Sequence, residues 1–133
     1  CCLTNKKLNL HGGGYSERCF IHIDDVNNAL LKLINHDEIG TSCHISTKEP
    51  ISIRNLVKKI CNTLSVEFEE IVLETGERIG KDKNYLLSSK FLRDKFDWED
   101  KITLEEGIND TVRWVKRNFL KIKSMPWEYQ HKQ

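Results

Sequence analysis

The sequence predicts a mixed α/β domain, and three observations carry that prediction. Apolar residues recur at helical spacing in three separate stretches, 26–34, 53–64 and 104–119. Short β-prone runs lie between or before them, at 8–10, 19–23, 41–46 and 68–73. The chain has 133 residues, one domain's worth, enough to bury about two-thirds of its unfolded surface.

Taken in order, Leu8 and Leu10 alternate with polar neighbours and run into Gly12-Gly13-Gly14, which reads as a short strand ending in a tight turn. Cys19 to Ile23 is a second short strand. Asp24-Asp25 then opens a helix whose apolar face is Val26, Ala29, Leu30, Leu33 and Ile34, with carboxylates placed to suit the helix dipole. Gly40 follows its end, and Thr41 to Ser46 is a further strand. Pro50 and Ser52 announce the next helix, striped by Ile53, Leu56, Val57, Ile60, Cys61 and Leu64. Phe68 to Leu73 reads as a strand, Tyr85 to Leu87 as extended, and Ser89 as the cap of a short helix reaching Phe96. In the last helix, Thr103 with Glu106 three positions on forms a capping box, and Leu104, Ile108, Val112, Val115 and Phe119 give the buried face. The expected organisation is short strands with three to four helices in one domain, 1–120, and a tail, 121–133, without apolar pattern.

Composition narrows the function. Hydrophobic residues make up 38% and charged residues 31%, so the chain can fold, and its net charge of +1 gives no overall field toward nucleic acid or anionic membrane. No apolar run approaches the roughly 20 residues that a membrane span needs. The five cysteines are odd in number and lack a C-x-x-C pair, which favours reduced thiols in a cytoplasmic setting over a disulfide framework or a zinc site. The five histidines show no ligand spacing, so no metal is expected.

The most telling stretch is Glu77-Arg78-Ile79-Gly80-Lys81-Asp82-Lys83-Asn84-Tyr85, too polar to be core. An arginine presents a planar fork of donors that fits two oxygens of one phosphate, and an aspartate accepts from paired hydroxyls such as those of a ribose. A second arginine, Arg18, follows the three glycines far upstream. Two arginines converging on one anion would clamp a diphosphate, which points to a nucleotide ligand. The plainer reading is a solvated loop with surface ion pairs. No glycine-rich turn of the dinucleotide-binding type follows a strand, and no Ser/His/Asp or Cys/His arrangement is present to act as a catalytic set. Asp24 and Asp25 point about 100° apart on a helix, so helix capping is the role expected of them. Tyr85 is expected to pack.

At this point the residues resemble a known family. Leu10 to Val26 is similar to the L-x-G-x-G-x-x-x-R-x-F-x-x-V-x-D-V segment of extended short-chain dehydrogenases/reductases that act on nucleotide sugars. Ile39 to Ser46 resembles their G-E-x-Y-N-I-G strand. Glu77 to Tyr85 resembles D-R-P-G-H-D-R-R-Y, the form typical of dTDP-glucose 4,6-dehydratases, and Thr103 to Trp114 resembles the closing helix. Four segments in the family's order cover about Leu8 to Phe119. Ile79 stands in place of the usual proline, Lys81 where histidine is common, His44 where an asparagine contacts the nucleotide, and Cys19 in place of an aspartate.

The resemblance implies that this is the C-terminal, substrate-binding part of such an enzyme, a piece of a longer chain. The family's preceding Rossmann domain, with its NAD site and Tyr-x-x-x-Lys pair, is absent from this sequence, so no catalytic residue and no bound cofactor are expected here. By the family's pattern Arg18 and Arg78 bind the diphosphate, Asp82 lies near the ribose or base, and His44 and Lys81 complete the substrate contacts. The implied partners are a dTDP- or UDP-glucose type substrate and the Rossmann domain, in a parent that is a homodimer using NAD for 4,6-dehydration. Alternatives are the substrate domain of a 4-epimerase and a non-catalytic binding module of the same fold. Nucleic-acid binding through Lys116, Arg117, Lys121 and Lys123 has less support, because basic residues at a helix C-terminus have an ordinary dipole explanation and no stacking aromatics accompany them. A domain cut from its partner is expected to expose apolar surface and to self-associate.

Overall fold

In a computed structural model, which describes residues 1–36, 40–77, 79–80 and 82–126, the alternation of helix and strand is realised around two small sheets. β1 (Leu8–His11) pairs in parallel with β4 (Val72–Thr75), from Leu8 opposite Val72 to His11 opposite Thr75. β2 (Glu17–Arg18) is the centre of a second sheet, antiparallel to β3 (Ile51–Ser52) and parallel to β5 (Asn84–Tyr85). The helices are α1 (Ile23–Ile34), α2 (Ile53–Leu64), α3 (Phe68–Ile71), α4 (Lys90–Phe96), α5 (Leu104–Arg117) and α6 (Phe119–Lys123). Four of these match the expected helices; α3 and α6 are short additions. α6 carries helix into the stretch 121–123, and 127–133 lies outside the described residues.

The caps explain where the long helices begin. The Ser52 hydroxyl accepts from the Asn55 N–H at 3.2 Å and starts α2. Thr103 and Glu106 form the expected capping box at α5, the Glu106 carboxylate accepting from the Thr103 N–H at 2.9 Å. Those bonds, the Thr103 hydroxyl first, hold the Glu106 carboxyl below its ordinary value. His22, rather than an aspartate, caps α1: its Nδ1 accepts from the Asp24 N–H at 3.2 Å.

Two apolar clusters hold the elements together. Leu10, Val57, Cys61 and Phe68 pack between β1, α2 and α3, with Cys2, Leu8, Ile53 and Val72 against them. Ala29, Leu92, Phe96 and Trp98 pack between α1 and α4, with Ile21, Leu33, Cys43 and Ile45 around them. Between α2 and α5 runs an apolar groove of about 740 Å³, lined by Leu56, Ile60, Leu64, Leu104, Ile108 and Val115 among others.

Several local expectations are corrected. Residues 68–71 are helical, since Glu69 and Glu70 suit a first helical turn and the strand begins only at Val72, where β1 offers a partner. Residues 41–47 carry no regular strand; no strand among the described residues pairs with them. The second strand is Glu17–Arg18, not 19–23. Asp25 is buried and caps a distant loop: its two carboxylate oxygens accept from the Lys101 and Ile102 N–H groups, each at 3.0 Å, and its carbonyl accepts from Trp98 Nε1 at 3.1 Å. Ser89 makes no cap bond; its hydroxyl donates to the Ser46 carbonyl at 2.8 Å and accepts from Arg93 Nε at 3.0 Å. Tyr85 is exposed rather than packed, and Leu30 and Ile34 of the expected α1 face are exposed because α4 covers only the Ala29 side of that helix.

Candidate functional site

The candidate site grows from the turn between β1 and β2. Gly12, Gly13 and Gly14 have φ of 57°, 65° and 72°, a left-handed turn that side chains with a Cβ resist. At Gly14 a Cβ would also meet the Leu10 side chain at 2.8 Å and the Arg54 main-chain nitrogen at 2.9 Å. The Glu77 carboxylate lies over Gly12, in the space a side chain there would need. Arg54, in the first turn of α2, donates from Nη1 to the Gly13 carbonyl at 3.2 Å and pairs with Glu74 of β4. The Glu74 hydrogen bond raises the guanidinium above its ordinary value, and the ring faces of Phe68 and Tyr15 lie 5.0 and 5.8 Å away.

From this braced turn the chain enters β2, which sets Arg18. The Arg18 guanidinium donates from Nη2 to the Asp82 carbonyl at 2.9 Å, and from Nη1 to the carbonyls of Glu17 at 2.6 Å and Lys83 at 3.5 Å. The Glu17 N–H donates to the Lys83 carbonyl at 3.0 Å, just before the parallel β2–β5 pairing begins. Thus Arg18 and the loop 77–85, distant in sequence, meet. Arg78 and Lys81 themselves lie outside the described residues; Glu77, Ile79, Gly80 and Asp82 beside them are exposed. The bond from Arg18 goes to the Asp82 main-chain carbonyl rather than to its carboxylate. His44 is exposed on the unpaired stretch 41–47, which is fastened to α4 through Ser46, whose carbonyl accepts from Ser89 and from Arg93 Nη2 at 3.1 Å.

The strands carrying Arg18 and Tyr85 lead directly into a polar cleft of about 640 Å³, lined by Cys19, Leu86, Thr47, Lys48, Lys90 and Arg93 with acidic residues beyond. Arg93 is largely enclosed by its pairing with Asp100 and by the Trp98 ring 4.9 Å away. Sequence reasoning missed Arg54 and Arg93. Arg54 did leave a signal: a cation in the first turn of a helix opposes the dipole, which marks it as recruited by a partner elsewhere. Among the described residues, no group of three or more His, Cys, Asp or Glu could hold a metal ion, and no helix is long and apolar enough to cross a membrane.

No protein-family model matches the chain. A dTDP-D-glucose 4,6-dehydratase from Mus musculus is 30% identical over 120 residues, covering 86% of this chain and 34% of that protein. A trifunctional UDP-glucose 4,6-dehydratase, epimerase and reductase from Arabidopsis thaliana is 28% identical over 87% of this chain and 17% of its own length. Among solved structures, a dTDP-glucose 4,6-dehydratase from Bacillus anthracis in complex with NAD superposes with a TM-score of 0.79 at 27% identity, over 87% of this chain and 36% of that one. A UDP-glucose 4-epimerase from Thermotoga maritima shares the fold, with a TM-score of 0.80 at 23% identity. The chain therefore spans about a third of the mouse and Bacillus dehydratases and 17% of the trifunctional enzyme.

Proposed function

Since the chain belongs to the NAD-dependent epimerase/dehydratase group of extended short-chain dehydrogenases/reductases and matches their C-terminal part, we propose that it binds and orients a nucleotide-diphosphate sugar for 4,6-dehydration. The observation that carries the reading is the bond from Arg18 to the Asp82 carbonyl. It seats the main chain at Asp82 against β2, the strand that runs on through Cys19 into the polar cleft. In this reading Arg18 and Arg78 neutralise the diphosphate, Asp82 accepts from the ribose, Lys81 adds charge and His44 completes the contacts. NAD is held by the N-terminal part of a longer parent and oxidises C4 of the sugar; water then leaves across C5 and C6 and hydride returns to C6. The residues of this chain supply position: a sugar misplaced by ~1 Å costs on the order of a hundredfold in rate.

Titration of dTDP-glucose and UDP-glucose into the protein tests the reading. Arg78→Ala and Arg18→Ala are each expected to weaken binding at least about tenfold, a loss of ~1.4 kcal/mol, and to raise KM similarly in the parent enzyme. Affinity unchanged in both variants removes the clamp. The likeness to 4-epimerases keeps epimerisation as the second reading; product analysis with the parent enzyme, 4-keto-6-deoxy sugar against the C4 epimer, separates the two.

A further inference from the structure

The first turn of the chain and α2 bring two thiols into one cluster. Cys61 lies on the inner face of α2, wholly enclosed, beside Leu10, Val57 and Phe68. Cys2, in the 3-10 turn Cys2–Thr4, is half-buried and packs against the same cluster. Both line the apolar groove between α2 and α5. The turn is held in place: the Thr4 and Lys6 N–H groups donate to the Cys1 carbonyl at 3.2 and 3.1 Å, and Lys7 Nζ donates to the Glu70 carbonyl of α3 at 2.6 Å. Cys1 also lines this groove, and the other two cysteines lie elsewhere. Cys1 is exposed with its Sγ toward the Lys7 carbonyl, Cys19 lines the polar cleft, and Cys43 belongs to the α1–α4 cluster.

We propose that Cys2 and Cys61 are a disulfide-forming pair, a covalent latch between the N-terminal turn and α2 that closes on exchange with an oxidised small-molecule disulfide. The half-buried Cys2 reacts first. Its thiolate attacks one sulfur of glutathione disulfide, the oxidant's S–S bond breaks, and one glutathione leaves as thiolate. Cys61 then gives its proton to solvent and attacks the Cys2 sulfur from inside the cluster, expelling the second glutathione. Two electrons pass from the cysteines to the oxidant, which ends as two thiols. Burial pushes the Cys61 thiol from 9.0 up to about 11, with Cys2 beside it adding to the rise. Once Cys2 is capped by glutathione its share of the rise is gone, but burial, the largest cause, remains. The second step therefore still waits on a scarce thiolate and quickens as pH rises from 7 to 9. At neutral pH the latch is slow and stays open under brief oxidation.

The test uses the folded chain with glutathione disulfide at pH 7, 8 and 9, followed by acid quenching, alkylation, trypsin and mass spectrometry. The expected product joins the tryptic peptide that ends at Lys6 to the peptide containing Cys61. It persists in Cys1→Ser, is lost in Cys2→Ser and Cys61→Ala, and forms faster as pH rises. If Cys61→Ala fails to fold, Cys2→Ser, at the edge of the cluster, decides the matter alone. The proposal is overturned if Cys2 stays as a mixed disulfide even at pH 9, or if the joined peptides appear only after denaturation.

Discussion

The Arg18 guanidinium reaches Asp82 through the main chain: Nη2 donates to the Asp82 carbonyl at 2.9 Å. A side chain expected to meet a ligand is thus also a fastener for the loop that carries its presumed partner. The two roles are compatible because a guanidinium has five N–H donors and these contacts engage its Nη atoms.

Arg18→Lys tests the fastening role. An ammonium is a point charge and cannot hold several carbonyls in one fork. Losing about 1 kcal/mol of hydrogen bonding is expected to speed amide exchange at Asn84 and Tyr85 about fivefold, with little change in α2 or α5. Exchange that stays at the wild-type rate would show that β2–β5 pairing alone secures the loop.

Gly14→Ala and Gly76→Ala should separate cleanly. At Gly14 the added methyl meets φ of 72° as well as the Arg54 main chain at 2.9 Å, an expected loss of at least about 2 kcal/mol. Gly76 has open space and no positive φ, so alanine there is expected to be neutral or to add up to about 1 kcal/mol. Urea midpoints at constant m-value give both figures.

The two adjacent aspartates should differ as sharply. Asp25→Ala strands two main-chain N–H groups, at Lys101 and Ile102, and is expected to cost about 2–4 kcal/mol. Asp24 is exposed on the first turn of α1, and Asp24→Ala is expected to cost no more than about 0.5 kcal/mol. Equal thermal shifts in the two variants would contradict the burial of the Asp25 carboxylate.

Acid should loosen α5 at its start. The Glu106 carboxyl is held below its ordinary 4.5 by the bonds to Thr103, so the folded state binds its proton less readily than the unfolded chain. The stabilisation is complete above pH 4.5 and is lost as pH falls through the lowered folded value. Glu106→Gln is expected to melt lower than the parent at pH 7 and to show a shallower loss of melting temperature from pH 5 to 3. Parallel pH profiles for the two proteins would rule the cap out as the cause.

What could be read from residues alone follows a physical rule. The Ser52 cap and the Thr103–Glu106 box were legible because their partners lie three positions away. Chemistry, two arginines suited to one anion, and a family resemblance drew attention to Arg18 and the 77–85 loop; Arg18 does meet Asp82, while Arg78 lies outside the described residues. The role of Asp25 was hidden, since its partners stand 76 and 77 positions off and nothing local announces them. Residues 68–71 carry aromatic and β-branched side chains that fit a strand, and the strand starts at Val72 because only there does β1 supply a ladder. Arg54 could have been noticed, because a cation in the first turn of α2 argues for a partner elsewhere.

The pairings that build the candidate site all join distant parts of the chain: Arg18 and Asp82 are 64 positions apart, His11 and Thr75 likewise 64. Parallel ladders of this span cannot nucleate locally, and each must wait for a long loop to close. The helices can form early, whereas the candidate site comes into existence only in the final stages of folding. A half-folded chain would therefore hold most of its helical content and none of the candidate site.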